Sequence, residues 1–340
     1  MVNSLQNRSY LNRRHRLSHQ QIDRFLHENR SKEFLHEKLK QLEIIKSFLQ
    51  ITDILKQKGI YFINLKGPLL SYRIYHDPTV RILHDIDILI DKKQIERVMN
   101  ILFENGYNLS EGAFWPHKKN QQELFINNIH HLSFFNKGNN LCVEVHWVLM
   151  HELSISKGKL EEFISVNTEE IEFAGRKFNV FTKEFELLYL LIHGSRHKWH
   201  RLKWLFDIKD YPLAEVNYKT FNTLVNLLNA ERIINQANYL LKKFFNTQLP
   251  FTYNARLPKY IVSYSMRIIN SEISKKRSNY DIINNFRYQW LIFPGIYYKY
   301  KMLLQIPFSP RDIPLFDSSY KTMYYMYRPF SFIKRRILHA

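Results

Sequence analysis

Residues 60–91 read IYFINLKGPLLSYRIYHDPTVRILHDIDILID, and their last part decides the fold. Asp85-Ile86-Asp87-Ile88-Leu89-Ile90 alternates carboxylates with aliphatic side chains. A strand has a side-chain period of two, so Asp85 and Asp87 share one face and Ile86, Ile88 and Ile90 the other. Two carboxylates side by side repel each other, which calls for positive charge between them. A divalent metal ion is the obvious counter-charge. Upstream, the apolar run Ile60, Phe62, Ile63 ends in the turn Leu65-Lys66-Gly67-Pro68, where glycine permits a tight bend or a close backbone approach.

The run Val143-Glu144-Val145-His146-Trp147 has the same alternation, with Glu144 and His146 on one face. If this strand lies beside the first, the sheet presents Asp85, Asp87 and Glu144 together. Three carboxylates on one surface are what two-metal phosphoryl transfer needs, with little covalent work left to the protein. Taken singly, each residue reads equally as part of a solvated strand face.

Around these strands the chain is that of a globular protein: 340 residues, 45% hydrophobic and 15% aromatic. Its one cysteine, Cys142, excludes an internal disulfide and a cysteine-based zinc cluster. With no apolar run near the roughly 18 residues of a bilayer span and no secretory pattern at the N-terminus, a cytoplasmic location is expected, with contact at a membrane surface as an addition. The net charge is +19, and residues 256–340 hold 15 Lys/Arg against 4 Asp/Glu, a local +11. Biased composition accounts for this, and so does a basic surface for nucleic acid, a nucleotide-linked substrate or acidic lipid headgroups. The aromatics of this part (Trp290, Phe293, Tyr297, Tyr298, Tyr300, Tyr324, Tyr325, Tyr327) are read mostly as core.

Helical spacing predicts an N-terminal region over 1–50, with Ser18 as an N-cap. Alternation and turn signals predict an α/β unit over 51–181. It includes strands over 129–135 and 141–150 joined by a hairpin at residues 136–140 and a second hairpin at residues 174–176, and the connection over 110–122 has no assignable structure. From Thr182 helical spacing returns, with a further helical run expected near residues 199–211, giving a helical part over 182–340.

The LKGP turn, the run from Asp77 to Leu89, the VEVHW strand, the later HGSRHKWHRLKWLFDI and YMYRP at residues 325–329 together resemble a known pattern. It is that of a bacterial family of uncharacterised nucleotidyltransferase-like proteins within the polymerase-β-type nucleotidyltransferase superfold. The resemblance implies an α+β fold: a small mixed β-sheet nucleotidyltransferase core with helices, plus helical N- and C-terminal parts. It matches Gly67 to the superfold's turn glycine, Asp85 and Asp87 to its metal pair, and Glu144 to its third carboxylate. The expected cofactor is Mg²⁺ at a two-metal site, with Mn²⁺ as a substitute. The expected partners are a nucleoside triphosphate or other nucleotide-linked donor and a hydroxyl acceptor. Two departures stand out: Gly67 is followed by proline where the superfold usually has serine or glycine, and the gap to Asp85 is longer than in most members.

Lys66 and Arg81 are read as phosphate-binding cations or as ion-pair partners of Asp85 or Asp87. His193 and His197, at i and i+4, share a helix face with His200 nearby, but Gly194 stands where a zinc-protease helix has its glutamate. Two helical histidines at that spacing can bind zinc, with Asp207 a third ligand only if the fold brings it round; His193, His197 and Arg201 otherwise read as a polar face on the sheet or as contacts to phosphate or substrate. Phosphoryl or glycosyl transfer from a nucleotide-linked donor, and polyanion binding without catalysis, remain open beside nucleotidyl transfer.

Overall fold

The computed structural model describes residues 4–28, 34–149, 157–272, 279–305, 312–313 and 321–338. Among them one seven-stranded mixed sheet runs β3-β4-β5-β2-β1-β7-β6. The strands are β1 (Phe62–Asn64), β2 (Asp85–Ile90), β3 (Asn108–Leu109), β4 (His131–Asn136), β5 (Leu141–His146), β6 (Thr168–Phe173) and β7 (Arg176–Phe181). β2 is central, antiparallel to β1 and parallel to β5. The two predicted hairpins are β4–β5 and β6–β7.

The alternation in β2 sorts its residues between two cores. Ile86, Ile88 and Ile90 pack with Val143 and Val145 of β5 against Phe48, Ile51 and Leu55 of the long helix Phe34–Gln57. Burying one such side chain contributes roughly 1.5–3 kcal/mol. On the opposite face Leu89 and Ile63 join a core made by the helices Lys183–Arg196, Leu202–Lys209, Tyr218–Leu228 and Glu231–Phe245. Leu11 and Ile22 from the helices Arg8–His15 and His19–Leu26, and Leu17 between them, belong to this second core. Ser18 caps the helix His19–Leu26 through a capping box with Gln21, as its sequence position implies.

Three details differ from the sequence reading. Part of the connection left unassigned is a helix, Lys119–Asn128, which buries only Gln121, Leu124 and Phe125 and so carries a weak periodic signal. The helix expected from Trp199 begins at Leu202, because Lys198 and Trp199 adopt φ of 60° and 57° and break the chain between two helices. The strand expected over residues 141–150 stops at His146; residue 150 lies outside the described residues. Of the C-terminal aromatics, Phe293, Tyr298 and Tyr324 are buried, whereas Tyr297, Tyr300 and Tyr325 are exposed. Among the described residues no helix is long and apolar enough to cross a membrane.

The break at Trp199 explains Gly194. The indole is fully buried and its Nε1 donates to Gln236 Oε1 at 3.1 Å. A Cβ on Gly194 would stand 2.3–2.7 Å from three ring carbons of Trp199. Glycine at this position is thus a packing requirement and not a catalytic glutamate lost. Gly194→Ala is expected to destabilise the protein by about 1–3 kcal/mol, since an overpacked core must shift. A urea unfolding midpoint equal to that of the wild type would contradict this.

Candidate active site

Parallel pairing sets β2 and β5 so that Asp85 stands opposite Cys142, Asp87 opposite Glu144, and Leu89 opposite His146. All three carboxylates, with His146, therefore emerge on the face turned toward the helices Lys183–Arg196 and Leu202–Lys209. Between sheet and helices lies a cavity of about 310 Å³. Its floor is Asp85, Asp87, Glu144, His130, His131 and His146, and its walls include Arg16, Lys66, Arg81, His193, Arg196, His197, His200, Arg201, Lys203 and Trp204.

His146 joins the carboxylates. Its Nε2 donates to Asp87 Oδ1 at 3.1 Å and lies 3.5 Å from Glu144 Oε2. Ligand atoms of Asp87, Glu144 and His146 all fall within 4.8 Å of one another. Asp85, half-buried, lies two residues along the same strand face. On the other side of Asp87, Lys66 Nζ stands 3.5 Å from Oδ2 and 3.4 Å from each ring nitrogen of His193. The counter-charge that the sequence demanded at the Asp pair is thus supplied to Asp87 by Lys66 and His146.

The electrostatics follow. Burial opposes charge on Asp87, yet the Lys66 ammonium and then the His146 hydrogen bond hold its carboxyl well below the usual range. Glu144 moves the other way: burial raises it, the His146 hydrogen bond only partly offsets this, and Asp87 and Asp85 add repulsion. For His146 burial disfavours the cation, but hydrogen bonds to Asp87 and Glu144 outweigh it and its pKa rises. His131, stacked on His146 with ring centroids 4.9 Å apart, is pushed down to about 4 by burial and by that neighbour.

His193 and His197 do share a face, with ring centroids 4.7 Å apart, and both rings meet Trp204. Burial drives His193 well below its ordinary value; burial and then Arg196 take His197 to about 2. Both rings line the cavity wall, where burial favours the neutral imidazole. His200 falls to about 3 by burial and by Arg201. The linkage sign is clear for these lowered groups. The unfolded chain protonates near the ordinary histidine pKa while the native site does not, so stability falls as pH drops below that value. His131, His197 and His200 each favour unfolding by up to about 1.4 kcal/mol per pH unit there, and His146, Glu144 and Glu186, with raised pKa values, oppose them. Urea unfolding should show lower stability at pH 5 than at pH 7; equal or greater stability at pH 5 would contradict it.

Arg81 does not pair with Asp85 or Asp87. Its Nε donates to both oxygens of Asp207 at 3.0 and 3.2 Å, and both side chains are almost fully buried. Asp207, considered from the sequence as a ligand beside the histidines, is the partner of this arginine. Gly67 has φ 77°, the left-handed region open to glycine, and starts the helix Pro68–Tyr75 with Pro68 at its first position. Proline after the turn glycine is therefore compatible with the strand–turn–helix.

Sequence reasoning missed Arg16, Arg196, Lys203, His130, His131, Tyr189 and Trp204 as lining residues. Three of them sit inside the HGSRHKWHRLKWLFDI run, so that stretch carried the signal. Arg16 comes from the far N-terminus with no local signature beyond a basic run.

A mixed sheet with carboxylates in register on two parallel central strands, roofed by a cationic helical wall, defines an α+β protein of nucleotidyltransferase type. Residues 11–246 match the family described as "Uncharacterised nucleotidyltransferase", and the chain belongs to that family. Nucleotidyl transfer is thus its class of reaction. No curated protein matches the chain. Among solved structures, it is similar to the lincosamide antibiotic adenylyltransferase LnuA in its lincomycin-bound form, at 19% identity and TM-score 0.34, covering 49% of this chain and 94% of that one. It is also similar to ANT(2")-Ia in complex with adenylyl-2"-tobramycin, at 10% identity and TM-score 0.37, covering 54% and 96%. A third is an antigenic nucleotidyltransferase-like protein from Paracoccidioides brasiliensis, at 15% identity and TM-score 0.31, covering 62% and 97%.

Proposed function

We propose that this protein is a Mg²⁺-dependent nucleotidyltransferase that moves a nucleoside monophosphate from a nucleoside triphosphate to a hydroxyl acceptor. The observation that carries the reading is the in-register pair Asp87 and Glu144, with His146 between their carboxylates and Asp85 on the same face. This donor set suits a hard divalent ion: it is rich in oxygen, and burial, with added repulsion from Asp87 and Asp85, raises the pKa of Glu144, which a bound cation would offset. Asp85, Asp87 and Glu144 would hold Mg²⁺, or Mn²⁺ in its place. When bound, the metal supplies charge stabilisation at the phosphoryl oxygens and a lowered pKa at the acceptor hydroxyl.

The remaining work falls to the chain's own groups. Lys66, held between Asp87 and His193, offers a fixed ammonium to the triphosphate oxygens. The Gly67 turn lets the backbone approach the donor closely. His193 and His197, kept neutral by burial, offer hydrogen bonds without adding charge. Arg81, fixed by Asp207, adds positive potential behind the phosphates. Glu144, with its side chain 27% exposed, can take the acceptor's proton because its raised pKa makes it a better base than Asp87.

The test is product mass. Protein, an α-labelled nucleoside triphosphate and fractionated cell extract are incubated with and without Mg²⁺. A metal-dependent gain of one nucleoside monophosphate on an extract component is expected. A gain of phosphate or hexose instead would replace the reading with phosphoryl or glycosyl transfer.

A further inference from the structure

Two arginines face the cavity from distant parts of the chain. Arg16, at φ 54°, closes the helix Arg8–His15, and Arg201 precedes the helix Leu202–Lys209. Their juxtaposition is fixed by neighbours. The Arg14 guanidinium donates to the carbonyls of Ser271 at 3.0 Å, Ile268 at 2.9 Å and His200. His15 Nδ1 accepts from the Leu202 N–H at 3.2 Å. The N-terminal segment is thereby fastened to residues 200–202, and two guanidinium groups are held near each other.

Among the described residues nothing neutralises that pair at close range. Arg201 is brought down to about 10 by burial and then by Arg16. Arg201 Nε is buried with no hydrogen-bond partner, and among the described residues neither guanidinium forms an ion pair closer than 4 Å with a carboxylate. Three other cations of the cavity have close partners of their own: Lys66 has Asp87 and His193, Arg81 has Asp207, and Lys203 has the Ile82 carbonyl at 2.6 Å. Arg16 feels Asp85 first and then Glu144, and Arg201 feels Asp85, whereas Lys66 feels Asp87 most strongly. The arginine pair therefore lies toward Asp85, with the Glu144 carboxylate next in influence, and away from the Lys66 end of the cavity. Two guanidinium forks suit an oxyanion, which they bind in bidentate fashion. Among the described residues no acidic side chain other than Asp85, Asp87 and Glu144 lines the cavity, so none is left to receive a cationic acceptor.

On the nucleotidyl-transfer reading, we propose that Arg16 and Arg201 form the acceptor subsite, and that the acceptor is a hydroxyl compound bearing a phosphate or a carboxylate. In the transfer, the acceptor's hydroxyl oxygen bonds to the α-phosphorus as the bond to the β-phosphate bridge breaks. Pyrophosphate leaves, and the hydroxyl proton passes to Glu144.

The experiment is calorimetric titration of the full chain. Mg²⁺ with a non-hydrolysable nucleoside triphosphate is titrated first. Glucose, glucose 6-phosphate, glucuronate and an aminoglycoside are then titrated separately into the loaded protein. At least one sugar anion should bind at millimolar concentration, and glucose and the aminoglycoside should not. Which anion binds tells phosphate from carboxylate. Arg16→Gln and Arg201→Gln should each weaken that binding by about tenfold or more, the loss of a charge-assisted hydrogen bond, while Arg16→Lys retains part of it. Nucleotide binding intact but neither anion bound refutes the acceptor subsite alone. The subsite is equally refuted if the aminoglycoside or glucose binds as well as the anions, or if the Gln variants lose nucleotide and keep the anion. An anion bound by a wild type that does not bind the nucleotide refutes the nucleotidyl-transfer reading, and the acceptor role with it.

Discussion

Asp87→Asn is expected to lower nucleotidyl transfer by about 10³-fold, the loss of roughly 4 kcal/mol of transition-state stabilisation. Asparagine matches aspartate in shape and can still accept from His146, so the sheet should keep its register and far-UV circular dichroism should be unchanged. What disappears is the charge that opposes Lys66 and His146 on either side. Without it Lys66 is a buried ammonium lacking its nearest carboxylate, and the donor set is reduced to Glu144 and Asp85. The effect should appear in turnover more than in folding. Nucleoside triphosphate consumption at the wild-type rate, in a folded variant, would remove Asp87 from the proposed machinery.

Arg81→Ala should destabilise the protein by about 3–5 kcal/mol, the usual consequence of removing one partner from a buried ion pair. The two side chains are 5% and 1% exposed, and Asp207 would be left charged beside Lys203, which burial and Arg81 hold well below its ordinary pKa. Removing Arg81 lifts one of the repulsions that lower the Lys203 pKa, so a Lys203 ammonium can offset part of Asp207's charge and the loss should fall toward the lower value. Guanidinium chloride unfolding measures this directly. A loss below about 1 kcal/mol, as for an exposed pair, together with a weakened affinity for nucleotide, would return Arg81 to a direct phosphate contact.

The contrast between Asp87 and Arg81 shows what the sequence can carry. Asp87 was legible because period-two alternation is a local code: it names the face, and the repulsion between neighbours demands a counter-charge. Glu144 was legible by the same code once the strands were taken as neighbours, and their parallel pairing brings it opposite Asp87. Arg81 lies outside any periodic element, so its nearness in sequence to the Asp pair suggested a contact that packing does not make; its partner is 126 residues away. Arg16 had no such signal, because its place in the cavity depends on Arg14 and His15 fastening one end of the chain to residues 200–202 and beyond. The glycine of HGSRH spoke against a zinc-protease helix, and only the buried ring of Trp199 shows why it is glycine. Local alternation gave the strands and carboxylates, and long-range packing placed the cations around them.

On the proposed function, Asp87 and Glu144 bind a divalent metal together with a nucleoside triphosphate. Calorimetric titration of a non-hydrolysable nucleoside triphosphate into wild type, Asp87→Asn and Glu144→Gln, each with and without Mg²⁺, tests it most directly. Binding to the wild type is expected only when Mg²⁺ is present, and both variants should lose it. Equal binding without Mg²⁺, or undiminished binding in the Asp87→Asn protein, would contradict the claim.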